Sequence, residues 1–247
     1  MSRRGKAIFM EQNQTIGIIG AMASEVEILK AKLLHSKTTK AAGVTFYEGT
    51  LEGKAVVIAQ CGIGKVYAAI CTQAMIDLFH VCCVINTGVA GGLHHSLAIG
   101  DIVISTDAVQ HDFDLTAFGY VKGYMANGDG KTPTRYKADP ELVSLFKRAA
   151  DDVLTENKYI DGTIASGDVF VDDSALKREL IESFDAAAAE MEGASIAQVA
   201  TANGVPFVVI RSISDLAENE ANVSFEEFEK KAAEISSRIV LGTLRCT

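Results

Sequence analysis

Three acidic residues lie just after predicted strands, where their carboxylates could act as acids and bases. Glu25 follows a short apolar segment that ends in glycine, Glu192 follows an alanine-rich segment, and Asp215 closes an apolar segment. Because ligands bind outside the carboxyl ends of strands in open α/β sheets, we expect the three carboxylates to meet at one edge. Arg211, inside the last segment, needs a carboxylate partner once it is buried and supports this convergence. Each acid alone could instead cap a helix or interact with a helix dipole.

Separated carboxylates are the groups that cleave glycosidic bonds. One acid protonates the leaving group, a second carboxylate activates water, and nearby negative charge favours the cationic sugar transition state. A purine leaving group is protonated on a ring nitrogen, so the acid needs a raised pKa in a partly buried pocket. The residue types permit this chemistry without proving it.

Patterns of apolar residues predict the strands and helices that must position these acids. Strands are predicted over residues 15–20, 46–52, 54–61, 81–87, 101–106, 160–166, 186–191 and 207–213. Helices are predicted from residue 64 to about 80, from 139–140, over 192–203 and over the amphipathic segment after residue 224. Two capping boxes are predicted at helix starts, one formed by Ser24 and Glu27 and one by Ser224 and Glu227.

The alternation of strands and helices predicts an α/β fold whose largely parallel sheet is covered on both faces. The glycine-rich residues 88–92 are expected to form a loop. In residues 111–136 the apolar residues do not repeat at the spacing of a helix or a strand, and we expect a long functional loop there. No change of composition divides the chain, so we expect a flexible N-terminal extension at residues 1–14 and a single domain over residues 15–247.

Composition and charge exclude several classes of partner. The 247 residues include 23 basic and 32 acidic side chains, and the net charge of −9 argues against binding to a nucleic-acid backbone. No apolar run approaches the length of a membrane span, and the basic N-terminus is followed by too short an apolar run for a signal peptide. The five cysteines contain no C-x-x-C pair, which favours a reducing compartment. We therefore expect a cytoplasmic protein that binds a small molecule and neither nucleic acid nor a membrane.

Other motifs match known sites only in part. Gly62-Ile-Gly64-Lys65 lacks the third glycine of a dinucleotide fingerprint and the spacing of a P-loop. Ser195 stands in a segment that lacks the final glycine of a nucleophile elbow, so a buried helix position is the favoured interpretation. His111 and Asp114 could ligate a metal, but loop packing or a dimer contact is favoured there. We expect no metal and no cofactor.

Short motifs between residues 16 and 240 resemble, in their order, those of a known family. They are Ile16-Gly-Ile-Ile-Gly-Ala-Met22 with Glu25, Gly62-Ile-Gly-Lys-Val66, Asn86-Thr-Gly-Val-Ala-Gly-Gly92, Gly100-Asp-Ile-Val-Ile-Ser105, Thr116-Ala-Phe-Gly-Tyr120, Ser166-Gly-Asp-Val-Phe170, Glu190-Met-Glu192, Arg211-Ser-Ile-Ser-Asp215 and Ser224-Phe-Glu-Glu-Phe228. As a set they resemble bacterial 5′-methylthioadenosine/S-adenosylhomocysteine nucleosidases, in the purine nucleoside phosphorylase/uridine phosphorylase superfamily. The resemblance implies a nucleoside phosphorylase-like, three-layer α/β/α sandwich around a mixed, mostly parallel sheet. It also implies hydrolysis of the N-glycosidic bond of methylthioadenosine and adenosylhomocysteine in methionine salvage.

The resemblance further implies a role for each matching residue. Asp215 would protonate adenine N7 with Ser214 beside it, Glu25 would activate the water, and Arg211 would order that part of the site. The implied binding residues are Glu192 and the Met191 backbone for ribose, Phe170 and the Val171 backbone for adenine, Gly91 beside the substrate, and Met22, Ile63 and Phe225 for the 5′-alkylthio group. A second subunit would complete the pocket with Leu115, Phe118 and Tyr120, which implies a homodimer.

Two positions depart from the pattern of the family. Val89 stands where many members have serine, and Ala23-Ser24 stands where acidic residues are common. The missing hydroxyl at Val89 removes a polar contact near the ribose and the water. A preference for 6-amino-6-deoxyfutalosine, an adenine nucleoside with a bulkier 5′ arm, therefore stays open.

Two further alternatives remain on this fold. A phosphate-dependent purine nucleoside phosphorylase needs Arg or Lys near the glycine-rich turns, yet no arginine occurs between Arg4 and Arg135, and only Lys65 could serve. A non-catalytic nucleoside sensor needs neither Glu25 nor Asp215, and both are present. Hydrolysis is therefore the predicted reaction.

Overall fold

A ten-stranded mixed sheet forms the centre of the protein in a computed structural model that describes residues 14–125, 128–217 and 221–246. The strands are β1 (Ile16–Gly20), β2 (Leu34–Ala41), β3 (Val44–Leu51), β4 (Lys54–Gln60), β5 (Cys83–Gly92), β6 (Ile102–Gln110), β7 (Tyr136–Lys137), β8 (Tyr159–Ser166), β9 (Ala186–Glu190) and β10 (Phe207–Asp215). The helices are α1 (Ala23–Ala31), α2 (Lys65–Phe79), α3 (Pro140–Val153), α4 (Ser174–Phe184), α5 (Gly193–Ala202) and α6 (Ala221–Arg245). The predicted α/β class is confirmed.

The pairing of the strands brings several carboxyl ends to one edge of the sheet. β1 pairs in parallel with β4 and β5, and β10 pairs in parallel with β5. The strands β5, β10, β6, β8 and β9 also form a closed series of pairings, in which β9 meets the end of β5. Because parallel strands end on the same side, the residues that follow β1, β5 and β10 surround a common space.

Apolar side chains on both faces of the sheet hold the helices against it. Ile16 and Ile18 of β1 belong to the cluster covered by α1, α3 and α6, whereas Ile19 belongs to the cluster covered by α2 and α5. Successive residues of a strand point to opposite faces, so a strand covered on both sides is a continuous apolar run. This packing fixes the strand ends that carry the candidate acids.

The balance of parallel and antiparallel pairings differs from expectation. Among the described residues, five strand pairs are parallel and five are antiparallel. The sheet is mixed, as expected, but counted by strand pairs it is half parallel rather than mostly parallel. The antiparallel share comes partly from β2, whose polar and mostly exposed residues show no apolar alternation from which a strand could be predicted.

The glycine-rich segment at residues 88–92 is a strand rather than the expected loop. β5 continues to Gly92 because β10 pairs with it up to Gly91, with a register shift between Ile213 and Asp215, and β9 pairs with Gly91 and Gly92. Long-range pairing here overrides the weak strand preference of glycine. The segment at residues 111–136 is irregular in its described part, as expected, apart from a turn of 3₁₀-helix at Thr116–Phe118 and the start of β7.

Both predicted capping boxes are wrong. The predicted cap at Asp139 is confirmed, because its Oδ1 atom accepts hydrogen bonds from the backbone N–H groups of residues 141 and 142. Ser24 lies within the first turn of α1, and its hydroxyl turns away to donate to Glu229. Ser224 lies inside α6, because the helix already includes Ala221. The expected N-terminal extension, except residue 14, lies outside the described residues.

Candidate active site

The common space at the strand ends is a cavity of about 430 Å³. This volume is in the range of roughly 300–1,000 Å³ that is usual for small-molecule sites. Eleven of the predicted site residues line it: Met22, Glu25, Ile63, Val89, Gly91, Phe170, Met191, Glu192, Ser214, Asp215 and Phe225. Val171 lines a smaller adjoining pocket together with Phe170 and Asp215. Residues from seven separate segments of the chain thus meet around one cavity.

Glu25 holds its carboxylate at the ends of β1 and β5. One carboxylate oxygen accepts hydrogen bonds from the backbone N–H groups of Ala21 at 2.6 Å and Met22 at 2.9 Å, and the other accepts from Val89 N–H at 3.0 Å. Burial raises the pKa of Glu25, although Arg211 and the three backbone N–H groups favour its charged form. Glu25 is therefore a positioned carboxyl group with an affinity for protons above that of glutamate in water.

Gly88 permits the close approach of Glu25 and Arg211. A Cβ atom on Gly88 would lie only 2.7 Å from the carboxyl carbon of Glu25 and 2.9 Å from Arg211 Nη1. Both distances are below normal van der Waals contact. A residue without a side chain is therefore required at this point of β5.

Arg211 is a buried cation with several carboxylates around it. Its Nη2 group forms an ion pair with Glu190, donates to Asn86 Oδ1 at 2.6 Å and lies 3.9 Å from Glu192. Burial opposes the charge of Arg211, but Glu190, Glu25 and Glu192 more than offset this and raise its pKa. The predicted need of Arg211 for a carboxylate partner is confirmed, and Glu190 is its nearest partner.

Glu192 connects the cavity to the start of α2. Its Oε1 atom accepts a hydrogen bond of 2.8 Å from the backbone N–H of Gly64, just before the helix. Burial, followed by the neighbouring Glu190 carboxylate, raises the pKa of Glu192 to about 8, against the opposing effect of Arg211. Glu192 therefore binds a proton more readily than a glutamate side chain in water does.

Asp215 ends β10 with a buried carboxyl group. Its Oδ1 atom accepts from Ala217 N–H at 2.9 Å, and its Oδ2 atom accepts from the Ser214 hydroxyl at 3.0 Å. Burial raises the pKa of Asp215, despite these two hydrogen bonds and the positive charge of Lys177. A raised pKa is what a carboxyl group needs to donate a proton near neutral pH.

Aromatic and aliphatic side chains form the rest of the cavity wall. The rings of Phe170 and Phe225 meet edge to face with centroids 5.7 Å apart. Met22 and Phe225 also pack against an apolar cluster that includes Val89. The cavity thus has an acidic side formed by the first turn of α1, the end of β10 and the residues at and after the end of β9. Its apolar side is formed by Met22, Ile63 and Phe225.

The three residues predicted to come from a second subunit do not line this cavity. Phe118 is 77% exposed and Tyr120 is 43% exposed, whereas Leu115 is half-buried. Because they do not line the cavity of their own chain, their role in the cavity of another copy stays a prediction.

Several residues that shape the site were not identified from the sequence. Glu190 accepts hydrogen bonds from Ser166 and from the backbone N–H of Gly193 while it pairs with Arg211. The search for a carboxylate partner of Arg211 could have led to Glu190, which stands in the same motif as Glu192. Asn86 was detectable as an amide in an otherwise apolar run.

Lys65, which follows the glycine-rich turn at Gly62-Ile-Gly64 and was expected to be able to serve a phosphate, is engaged elsewhere. Its Nζ atom lies 2.6 Å from Asp112 Oδ1 and 3.1 Å from Gln110 Oε1. Among the described residues, no group of three or more His, Cys, Asp or Glu side chains is arranged to hold a metal ion, and His111 is buried. In the same part of the chain, no helix has the length and apolar character needed to cross a bilayer.

Comparison with known proteins identifies relatives over nearly the whole chain. The family model described as the phosphorylase superfamily matches residues 15–245. A 5′-methylthioadenosine/S-adenosylhomocysteine nucleosidase of Psychromonas ingrahamii is 47% identical, over 91% of this chain and 96% of its own length. The corresponding protein of Shewanella loihica is 46% identical, over 93% of this chain and 98% of its own length.

Solved structures show the same fold. The nucleosidase of Neisseria meningitidis in complex with methylthio-immucillin-A has a TM-score of 0.88 and 41% identity, over 95% of this chain and all (100%) of that chain. The nucleosidase of Colwellia psychrerythraea in complex with adenine has a TM-score of 0.88 and 45% identity, with 94% of each chain covered. A futalosine hydrolase of Helicobacter pylori has the same TM-score of 0.88 but 36% identity, over 95% of this chain and 98% of that chain.

Proposed function

Because the chain belongs to the 5′-methylthioadenosine/S-adenosylhomocysteine nucleosidases of the phosphorylase superfamily, we propose that it hydrolyses the N-glycosidic bond of these two nucleosides. The products are adenine and the 5-thio-substituted ribose, which enter methionine salvage. The observation that carries the proposal is the meeting of Glu25, Glu192 and Asp215 around one cavity with an acidic and an apolar side.

Glu25, in the first turn of α1, and Asp215, at the end of β10, carry out different steps of the proposed reaction. Asp215, whose pKa is raised by burial, donates its proton to N7 of adenine as the bond between C1′ and N9 breaks. Glu25 accepts a proton from the water that adds to C1′. The cationic sugar that forms between these events is stabilised by the carboxylates around it.

The remaining cavity residues bind and orient the nucleoside in this proposal. Phe170 stacks on adenine and the Val171 backbone bonds its edge, while Ser214 holds the Asp215 carboxyl group. Glu192 and the Met191 backbone bind the ribose hydroxyls, and Gly91 and Val89 line the sugar. The apolar side of the cavity, Met22, Ile63 and Phe225, receives the 5′-alkylthio group.

The position of the Glu25 carboxylate supports water over phosphate as the second substrate. Backbone N–H groups at a helix start and a buried arginine are the usual partners of an oxyanion. Here the N–H groups of Ala21, Met22 and Val89 already bond to Glu25, beside Arg211. Lys65, which follows the glycine-rich turn at Gly62-Ile-Gly64, is held in an ion pair with Asp112.

A second candidate is an aminodeoxyfutalosine nucleosidase, with the same reaction on a longer 5′ arm. It is supported by the likeness to the futalosine hydrolase of Helicobacter pylori, whose identity of 36% is lower than that of the nucleosidases, and by Val89 in the cavity wall. The two candidates differ only in the preferred 5′ substituent.

We also propose a homodimer of single-domain, three-layer α/β/α subunits in the cytoplasm. Val66, Tyr67 and Ile70 expose apolar side chains on one side of α2, and Phe118 and Tyr120 do so on the nearby irregular segment. The Lys65–Asp112 ion pair connects these two parts. Exposed apolar patches of this kind mark interaction surfaces.

Adenine release from four nucleosides tests the proposed function. We expect methylthioadenosine and adenosylhomocysteine to be cleaved at the same rate with and without inorganic phosphate, with free sugar as the second product. Aminodeoxyfutalosine and 5′-deoxyadenosine complete the panel. A phosphate requirement with a sugar 1-phosphate product would overturn hydrolysis, and a strong preference for aminodeoxyfutalosine would favour the second candidate.

A further inference from the structure

The start of α6 forms part of the apolar side of the cavity, and residues 225–231 there are only partly buried or exposed. Phe225 and Glu226 line the cavity from this helix. Further along, α6 is anchored by buried groups, since the Ser236 hydroxyl lies 2.6 Å from that of Thr87 and Ala232 packs beside Val89. The first turns are less buried, and Phe225 touches Phe170 only edge to face.

One hydrogen bond fastens these first turns to α1. The Ser24 hydroxyl donates to the Glu229 carboxylate, across 205 residues of chain. Among the described residues, no other side-chain hydrogen bond involves residues 225–231. Ser24 lies between Met22, which lines the cavity, and the buried Glu25, so the bond joins the α6 wall to the turn that carries the candidate base.

Both residues of this hydrogen bond line a surface groove of about 560 Å³ and neither lines the cavity. Met22, Ser24, Ile28, Glu229 and Lys230 are among the residues that line it, and Met22 lines both the groove and the cavity. The groove therefore adjoins the end of the cavity that receives the 5′ substituent.

We propose that the Ser24–Glu229 hydrogen bond sets the preference between short and long 5′ substituents. It keeps Phe225 and Met22 closed over a short substituent, and it disfavours the binding of a long one. The inference rests on the proposed function. A methylthio group ends inside the apolar socket and gains from its closure. A homocysteine arm is longer and carries an ammonium and a carboxylate, so it must pass between α1 and α6 to reach water, which separates Ser24 from Glu229.

Substitution of Ser24 tests this role. In Ser24→Ala we expect the ratio of kcat/KM for methylthioadenosine to kcat/KM for adenosylhomocysteine to fall about three- to tenfold, the range for loss of one partly exposed hydrogen bond to a carboxylate. The fall arises mainly from a higher KM for methylthioadenosine, with kcat nearly unchanged, because Glu25 and Asp215 keep their partners. Ser24→Thr retains the hydroxyl and restores the ratio.

The variants of Glu229 separate the hydrogen bond from the charge. Glu229→Gln retains an acceptor oxygen without the negative charge and is expected to keep the wild-type ratio, whereas Glu229→Ala matches Ser24→Ala. Ser144→Ala, which removes an exposed serine hydroxyl bonded to Arg148 on α3, is the matched control and leaves the ratio unchanged.

Three results would overturn the inference. One is an unchanged ratio in Ser24→Ala, and another is an equal loss of kcat/KM for both nucleosides, which indicates a general structural effect. The third is a Glu229→Gln ratio equal to that of Glu229→Ala, which assigns the effect to charge. Failure of the proposed function is distinguishable, because the wild-type protein would then release no adenine from either nucleoside.

Discussion

Asp215 and Glu25 are both buried carboxyl groups, but their surroundings suit them to opposite tasks. Asp215 has two hydrogen-bond donors and the positive charge of Lys177 to favour its charged form, but burial outweighs them and raises its pKa. Glu25 accepts three backbone N–H bonds and faces Arg211, which favours its charged form although burial raises its pKa as well. The first arrangement suits proton donation, and the second suits a base.

Asp215→Asn tests the acid directly. Asparagine has the same shape and keeps the acceptor for Ala217 N–H, but it has no acidic proton to give to adenine. We expect the rate of adenine release from methylthioadenosine to fall by about 10²–10⁴-fold, the usual contribution of a general acid. Nucleoside binding, measured by calorimetry, is expected to persist. Unchanged turnover would remove Asp215 from the mechanism, and retained binding without any wild-type turnover would indicate a sensor.

Glu192 makes stability depend on pH. Its folded-state pKa of about 8 lies above the reference value of 4.5, so its contribution to stability is fully present below about pH 4.5 and is lost as the pH rises towards 8. In Glu192→Gln this loss is absent. We expect the free energy of unfolding of the wild type to fall relative to the variant by up to about 1.4 kcal/mol per pH unit in this window.

Urea unfolding from pH 5 to pH 8 measures this difference. The exposed Glu182→Gln on α4 serves as the control, since it removes one carboxylate without touching the cavity. Parallel stability curves for the wild type and Glu192→Gln would show that Glu192 is charged throughout.

At the scale of elements, the strand β5 decides how closely the site can assemble. Its glycine run stays in the sheet through pairing with β10, and Gly88 leaves room for Glu25 and Arg211 to approach. A side chain there displaces both groups at once. The glycine is therefore a requirement of the site rather than of a turn.

Gly88→Ala checks this requirement. Because the new methyl group would lie 2.7 Å from the Glu25 carboxyl carbon, we expect adenine release to fall at least about 100-fold, as misplacement of reacting groups by about 1 Å does elsewhere. Gly92→Ala on the same strand is the control, since its methyl group would meet Ile213 at 3.1 Å, and neither Glu25 nor Arg211 is among its nearest contacts. Circular dichroism shows whether each variant folds. Wild-type activity in Gly88→Ala would contradict the geometry.

At the scale of the whole molecule, the exposed apolar residues of α2 need a partner surface. Val66 is 69% exposed at the start of the helix, close to the Lys65–Asp112 ion pair. Phe118, which is 77% exposed, belongs to the same irregular segment as Asp112, residues 111–136. The proposed dimer covers these residues and gives Leu115, Phe118 and Tyr120 access to the cavity of the other copy.

Val66→Asp tests the proposed interface. A buried charge without a partner is costly at an interface, so we expect the variant to sediment as a monomer and to cleave methylthioadenosine with a higher KM. Leu34→Asp on β2 is the control, because Leu34 is 61% exposed and lies at the end of the sheet order. A dimer that survives Val66→Asp with unchanged KM would place the interface elsewhere.

The sequence by itself determined the α/β class, most strands and helices, and the types of the reacting groups. The signals that succeeded are local: apolar runs, the Asp139 cap and the glycine turn before α2. Each depends only on residues that lie within a few positions of one another. It also singled out Glu25, Glu192, Asp215 and Arg211, because charged residues at strand ends are unusual unless they meet a partner or a ligand.

Only the tertiary structure decided which groups meet and with what protonation. Glu190 rather than Glu192 is the nearest partner of Arg211, Ser24 bonds to Glu229 rather than capping α1, and residues 88–92 belong to a strand. Each of these outcomes depends on pairing or packing between segments that lie far apart in the chain. Burial, which raises the pKa values of Glu25, Glu192 and Asp215, likewise exists only after the helices cover the sheet.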